Sequence, residues 1–239
     1  MKTLFIIKAG STFDSLLEPL GDFEEWIERG LGMPETSICV IDAVQGEQLP
    51  GADLCSGVVV TGSHAMVTDD LPWSLGIERW IPGLLNAEVP FLGICYGHQL
   101  LGRATGGTVG YHPLGREVGT VTVELNDEAG DDGLFRGIPK LFHAHATHTQ
   151  SVLQLPPGAV LLGGNAHEPH HAFRIGRCAW GVQFHPEYTA EVMRGYIEEQ
   201  RRSLDAAGKD VVGMVAGVVE TPDAGRLLRN FASLASRTP

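Results

Sequence analysis

Val89-Pro-Phe-Leu-Gly-Ile-Cys-Tyr-Gly-His-Gln-Leu-Leu-Gly102 decides how the rest of the chain is read. It opens as a short unbroken apolar run, the mark of a strand buried on both faces, and passes into helix-forming sequence, read as a helix over 98–105. Cys95 stands at the junction, with Gly93 and Gly97 two residues to either side. A side chain on so sharp a strand-to-helix turn is held in a strained backbone, and the flanking glycines remove Cβ atoms that would clash where strand and helix cross. A helix N-terminus beside a histidinium also lowers a thiol pKa from about 8.5 to ~3.5–7.5. Cys95 is therefore a candidate nucleophile. The ordinary alternative is a small buried cysteine at a strand end, and the paired glycines weigh against it.

Outward from this turn, the runs at 3–9, 37–41 and 57–61 are equally short and apolar, and helical periodicity fills 13–29 and 72–86. Strands of this kind alternating with helices predict an α/β fold, a central, mainly parallel sheet with helices on both faces. Within 72–86, Trp73, Ile77 and Trp80 fall at helical spacing and are expected in the core. The second half is richer in β structure. Residues 118–125 alternate like a half-exposed strand, 159–163, 172–175 and 179–184 read as further strands, and 190–204 and 222–235 as closing helices. No repeat or linker interrupts the pattern, and 239 residues with 43% hydrophobic content are read as one domain, 1–239.

The run at 179–184 leads into His185-Pro186-Glu187. Proline biases the preceding residue toward extended geometry, and in an extended chain residues i and i+2 share a side, so Glu187 is placed to orient the His185 imidazole. Strand ends of an open parallel sheet converge on one edge, which lets His185 meet Cys95. Thiol, imidazole and carboxylate then form a nucleophile, base and orienter.

Composition narrows the partners. Lys and Arg total 17 against 29 Asp and Glu, a net charge of -12, which argues against nucleic acid because that affinity rests on basic charge. Cys39, Cys55, Cys95 and Cys178 are scattered without a Cys-x-x-Cys pair and read as reduced thiols, which points to a cytoplasmic setting. No run reaches the roughly 18 apolar residues of a membrane span, so no membrane association is expected. His143, His145, His148, His167, His170 and His171 invite a metal reading, but no carboxylate is interleaved among the first three. The acidic run at 126–132 reads as a solvated turn.

Gly93-Ile-Cys-Tyr-Gly-His-Gln99 together with Gly181-Val-Gln-Phe-His-Pro-Glu187 resembles the class I glutamine amidotransferases, in the family's order and over nearly the whole chain. Val58-Val-Val-Thr-Gly-Ser63, Val67-Thr-Asp69, Leu155-Pro-Pro-Gly-Ala-Val-Leu-Leu162 and Ala172-Phe-Arg174 are similar to the stand-alone, GMP synthase-like subgroup. The resemblance implies a flavodoxin-like fold and hydrolysis of a γ-glutamyl amide, glutamine first, through a thioester on Cys95, with no cofactor and no metal. It implies an oxyanion hole from backbone N–H groups of Tyr96 and of the Gly62-Ser63 loop, where Gly62-Ser63-His64 replaces the family's common Gly-Gly-Pro. It also implies contacts to the glutamine α-amino and α-carboxylate groups from Gly93, Gln99 and the segment Thr147-His148-Thr149-Gln150, where Gln150 stands in place of an acid.

An amidotransferase passes its ammonia to a synthetase, and no Gly-x-x-x-x-Gly-Lys-Ser/Thr loop occurs here. Either a separate synthetase subunit receives the ammonia, or the chain hydrolyses γ-glutamyl peptides or γ-glutamyl amines alone. A reading of another class is a non-catalytic binding or regulatory protein on the same fold. The departures at Ser63, His64 and Gln150 support it, and the intact triad positions oppose it.

Overall fold

The computed structural model describes residues 2–34 and 37–237. Strand β1 (Thr3–Lys8) serves two cores at once: Leu4 and Ile6 join one buried cluster, Phe5 and Ile7 the other. Side chains alternate across a strand, so burial on both faces demands a continuous apolar run. In β3 (Cys55–Val60) and β4 (Phe91–Ile94), Val59, Leu92 and Ile94 take the first face, and Val58, Val60 and Phe91 the second. Helices α2 (Phe23–Leu31) and α8 (Pro222–Ala235) cover the first face through Ile27, Leu31, Leu227 and Phe231. Helices α3 (Pro72–Asn86) and α4 (Tyr96–Ala104) cover the second through Ile77, Ile81, Leu84 and Leu100. Trp73 and Trp80 pack half-buried beside them.

Among the described residues the main sheet has nine strands. β2 (Ile38–Asp42), β1, β3, β4 and β11 (Ala179–Val182) are parallel neighbours in that order. β10 (Ala172–Ile175), β9 (Val160–Gly164), β6 (Glu117–Leu125) and β7 (Leu141–His148) extend it antiparallel. β5 (Thr108–Tyr111) and β8 (Gln150–Gln154) form a separate pair. The α/β architecture expected from the sequence is present, and the C-terminal ends of β1, β3, β4 and β11 share one edge, where open parallel sheets place their ligands.

Two helices read as continuous are broken. The stretch 13–29 divides into α1 (Asp14–Leu20) and α2, because Gly21 adopts φ 88° and Asp22 caps α2 by accepting from the Phe23 N–H. The stretch 190–204 divides at Gln200 into α5 (Ala190–Glu199) and α6 (Arg201–Ala206). The strand read over 179–184 stops at Val182, and the helix read from 98 begins at Tyr96. β5, β7, β8 and α7 (Val211–Ala216) were not legible; in β7, three His and two Ala dilute the strand signal of Phe142 and Thr147. Among the described residues no helix is long and apolar enough to cross a membrane.

Candidate active site

Register brings the two motifs together. Gly93 pairs with Gly181 and Ile94 with Val182, so β4 and β11 end side by side, and the Cys95 N–H donates to the Val182 carbonyl at 2.8 Å. Cys95 is a buried non-glycine residue at φ 49°, ψ -95°, a strained conformation held by this pairing and by the Gln99 N–H bond to its carbonyl. The glycines make the turn sterically feasible. A Cβ on Gly97 would come 2.5 Å from the Val60 carbonyl oxygen, and one on Gly93 would overlap the Gly97 carbonyl. Backbone cannot yield as a flexible side chain can, so Gly93→Ala is expected to cost roughly 3 kcal/mol. Urea unfolding checks this, and a midpoint equal to wild type would refute the account of the turn.

His185 arrives by a tighter route than an extended chain. Beyond Val182 its N–H donates to the His145 carbonyl at 2.8 Å, and the chain turns through Pro186 so that Nδ1 meets Glu187 Oε1 at 2.7 Å. Both side chains are buried. Nδ1 is thereby committed to Glu187, while Nε2 has no other hydrogen-bond partner and lies on the Cys95 side of the ring. Gly62 marks the approach: a Cβ there would stand 3.0 Å from His185 Cε1 and 3.8 Å from Cys95 Cβ. Burial pushes the His185 imidazole down, but the Glu187 carboxylate and the Cys95 sulfur outweigh it, and the pKa is raised to about 10. The arrangement can hold a charged imidazole beside the Cys95 sulfur.

The loop after β3 is fixed across from this pair. Thr61 Oγ1 accepts from the Ala9 N–H and donates to the Gly62 carbonyl, and Ser63 Oγ accepts from the Ala65 N–H. Tyr96 turns its side chain away, donating its hydroxyl to Ser74 Oγ at 2.6 Å, and its backbone N–H belongs to the unpaired first turn of α4.

A cavity of about 310 Å³ opens over Cys95 and His185. Ser63, Tyr96, Gln99, Thr147 and His148 line it together with the two of them. Gln99 spends its amide Nε2 on the Gln150 carbonyl and Gln183 Oε1. The Thr147 carbonyl lies 4.0 Å from Cys95 Sγ, and Gln150 reaches across to Thr68 Oγ1, pinning the loop after β3. Gly62, Gly93 and Glu187 stand behind the wall, Gly93 beneath the turn and Glu187 behind His185.

A buried carboxylate lies one layer behind His148. His148 Nε2 and His171 Nε2 both meet Glu117 Oε2, at 3.0 and 3.1 Å, and Asn165 donates to Oε1 at 2.9 Å. Burial raises the Glu117 carboxyl, but these hydrogen bonds outweigh it and hold the pKa well below the usual carboxylate range. A depressed carboxylate stabilises the fold above its unfolded pKa of about 4.3, and that contribution drains away as pH falls through the folded value. Glu117→Gln should lose ~3 kcal/mol at neutral pH by leaving the network unpaired, and should flatten the acid-side decline in stability. Denaturant titrations from pH 7 down to pH 3 would show both; parallel curves for the two proteins would contradict the assignment. Among the described residues no three His, Cys, Asp or Glu side chains are grouped to hold a metal ion. His143 is exposed, and His145 is buried, with burial and His185 lowering its pKa to about 4.

Sequence reading missed the outer half of the cavity. Phe13, Phe23, His64, Tyr188 and Tyr196 form an aromatic wall, and Arg116, Glu199 and Gln200 line the cavity with it. The two broken helices place most of these residues: the break at Gly21 turns Phe23 inward, and the break at Gln200 lets that side chain bond both Thr147 Oγ1 and Arg116. Tyr188 could have been singled out from its place directly after Glu187.

The family model for Glutamine amidotransferase class-I matches residues 36–201. The chain is 35% identical over 170 residues, 69% of its length, to the GMP synthase [glutamine-hydrolyzing] of Aeropyrum pernix, of which it spans 30%. It is 39% identical over 137 residues, 56% of its length, to that of Thermosipho africanus, of which it spans 24%. A solved glutamine amidotransferase from Thermotoga maritima superposes with a TM-score of 0.78 at 24% identity, covering 99% of both chains. With the family model spanning most of the sequence, the chain belongs to the class I glutamine amidotransferases.

Proposed function

We propose that the chain hydrolyses γ-glutamyl amides, glutamine first among them, with Cys95, His185 and Glu187 as its catalytic triad. The observation that carries this is the strained Cys95 at the head of α4, beside an imidazole whose Nδ1 is locked to a carboxylate and whose Nε2 is left for the thiol. Cys95 attacks the γ-carbonyl carbon, and the N–H groups of Tyr96 and Ser63 receive the oxyanion. The C–N bond breaks as His185 Nε2 gives its proton to the departing nitrogen. Water, deprotonated by the same nitrogen, then cleaves the thioester to glutamate and restores the thiol. In this reading Gln99, Thr147 and His148 help hold the amino-acid head, Gly93 shapes the turn beneath it, and Gly62 keeps the oxyanion loop close to His185.

A glutamine-like diazoketone tests this: at neutral pH it should label Cys95 alone of the four cysteines, which peptide mass mapping would reveal. Labelling spread over Cys39, Cys55 and Cys178, or none on folded protein, would favour the non-catalytic binding reading. The names of the GMP synthase relatives support a synthetase as the ammonia acceptor. A second reading, hydrolysis of a γ-glutamyl amine or peptide without such a partner, is favoured by the aromatic wall, for which ammonia has no use.

A further inference from the structure

The cavity has two chemically different sides, and the direction of proton transfer says which part of a substrate meets each. Beyond Cys95 Sγ lies the Thr147 carbonyl, and from there the wall is polar through Thr149 and Gln150. Beside His185 the wall is aromatic. The Tyr188 ring stacks on the imidazole at 4.0 Å, and Phe23 lies parallel to it at 6.3 Å. Tyr196 continues from Tyr188 at 4.9 Å, and Phe13 and His64 close the wall toward solvent, 4.3 Å from each other and 5.0 and 5.9 Å from Tyr196. The leaving nitrogen must face His185 Nε2 to receive its proton, so any group on that nitrogen lies along the aromatic side.

We propose that this wall is a leaving-group subsite, and that the substrate is a γ-glutamyl amide of an aryl or alkyl amine. This rests on the proposed triad hydrolysis and names its substrate class. The rings offer an apolar surface with favourable edge and face contacts to a planar group, whereas ammonia would gain nothing from them. The Tyr188 hydroxyl is fully buried beside Tyr196, so this ring meets the cavity only as an apolar surface. Tyr196 is preset differently, its hydroxyl bonded to Thr12 Oγ1 at 2.9 Å and His64 Nε2 at 3.3 Å, which fixes its ring as a platform. The step balances without a further reactant: Cys95 sulfur displaces the amine, which departs carrying the His185 proton, and water releases glutamate.

The test compares kcat/KM for γ-glutamylanilide, γ-glutamyl-n-butylamide, γ-glutamylglycine and glutamine, using the wild type, Phe13→Ala and His64→Ala. The wild type is expected to favour the anilide and butylamide over γ-glutamylglycine by at least about tenfold, the discrimination an apolar pocket supplies. Each variant should lower the anilide-to-glutamine ratio by roughly five- to tenfold. His64 is exposed, so its variant reports even if Phe13→Ala folds poorly. Equal turnover of γ-glutamylglycine and the anilide, or an unchanged ratio in His64→Ala, would overturn the subsite. Cys95-dependent turnover of glutamine alone would overturn it too and leave the hydrolysis standing. No turnover of any of the four would overturn both.

Discussion

Cys95→Ala is expected to lower γ-glutamyl amide turnover by roughly 10⁴–10⁶-fold, because the proposed thioester cannot form without the sulfur and only binding and the proposed oxyanion donors remain. Stability should move far less. Alanine carries the same Cβ into the φ 49° turn, so the backbone strain persists and the N–H bond to Val182 is kept. Cys95→Gly separates strain from chemistry. It should be equally inactive but more stable than Cys95→Ala by about 1 kcal/mol, since glycine adopts that φ without penalty. Steady-state ammonia or amine release with urea unfolding of both variants tests the pair. Residual activity within tenfold of wild type in either would remove Cys95 from the mechanism. A glycine variant less stable than the alanine one would show that the turn is not strained.

Glu187→Gln should be the next most damaging change, at roughly 10³–10⁴-fold in rate, and its signature is a pH shift. Burial pulls the His185 pKa down and Glu187 is the strongest influence raising it, so removing the carboxylate leaves burial opposed mainly by Cys95. The alkaline limb of the activity profile, where His185 ceases to be an acid, therefore moves to lower pH in the variant. The same shift governs stability. A group raised from about 6.5 to about 10 on folding contributes fully below 6.5 and loses that contribution as pH rises through 10, so wild-type stability should decline across this window. Glu187→Gln should show little of that decline. Rate profiles and thermal midpoints between pH 6 and 10 decide the matter, and superimposable profiles would mean that Glu187 does not set the charge of His185.

These expectations bear on the choice between substrates. Loss of Cys95 or Glu187 should lower turnover of every γ-glutamyl amide alike, whereas Phe13 and His64 should discriminate among leaving groups. The Glu117 network lies behind His148, and its removal should act through stability and the placement of that wall.

Much of the site could be read from local sequence because it is built at strand ends. An apolar run that stops at a glycine-flanked cysteine fixes a turn whatever surrounds it, and residues two apart around a proline stay close in any compact turn. That is why His185 and Glu187 meet even though the strand ends at Val182 and the chain bends there. The sheet was legible for a related reason: strands buried on both faces need apolar residues at consecutive positions, and β1, β3 and β4 show such runs directly. The histidine-rich β7 was not. Its residues form a strand because β6 supplies the partner hydrogen bonds, a long-range condition that local propensity does not carry.

By itself, then, the sequence determined the family, the α/β sheet and the identity of the candidate thiol, imidazole and carboxylate. Tertiary structure alone decided the cavity around them. Phe13, Phe23, His64, Tyr188 and Tyr196 come from separate segments whose common wall depends on how helices break at Gly21 and Gln200 and how they pack on the sheet edge. Glu117, remote in sequence from His148 and His171, became their shared partner only because β6, β7 and the turn before β10 close over one buried point. Packing of distant segments has no period or spacing in the chain, so it appears only when the chain is folded.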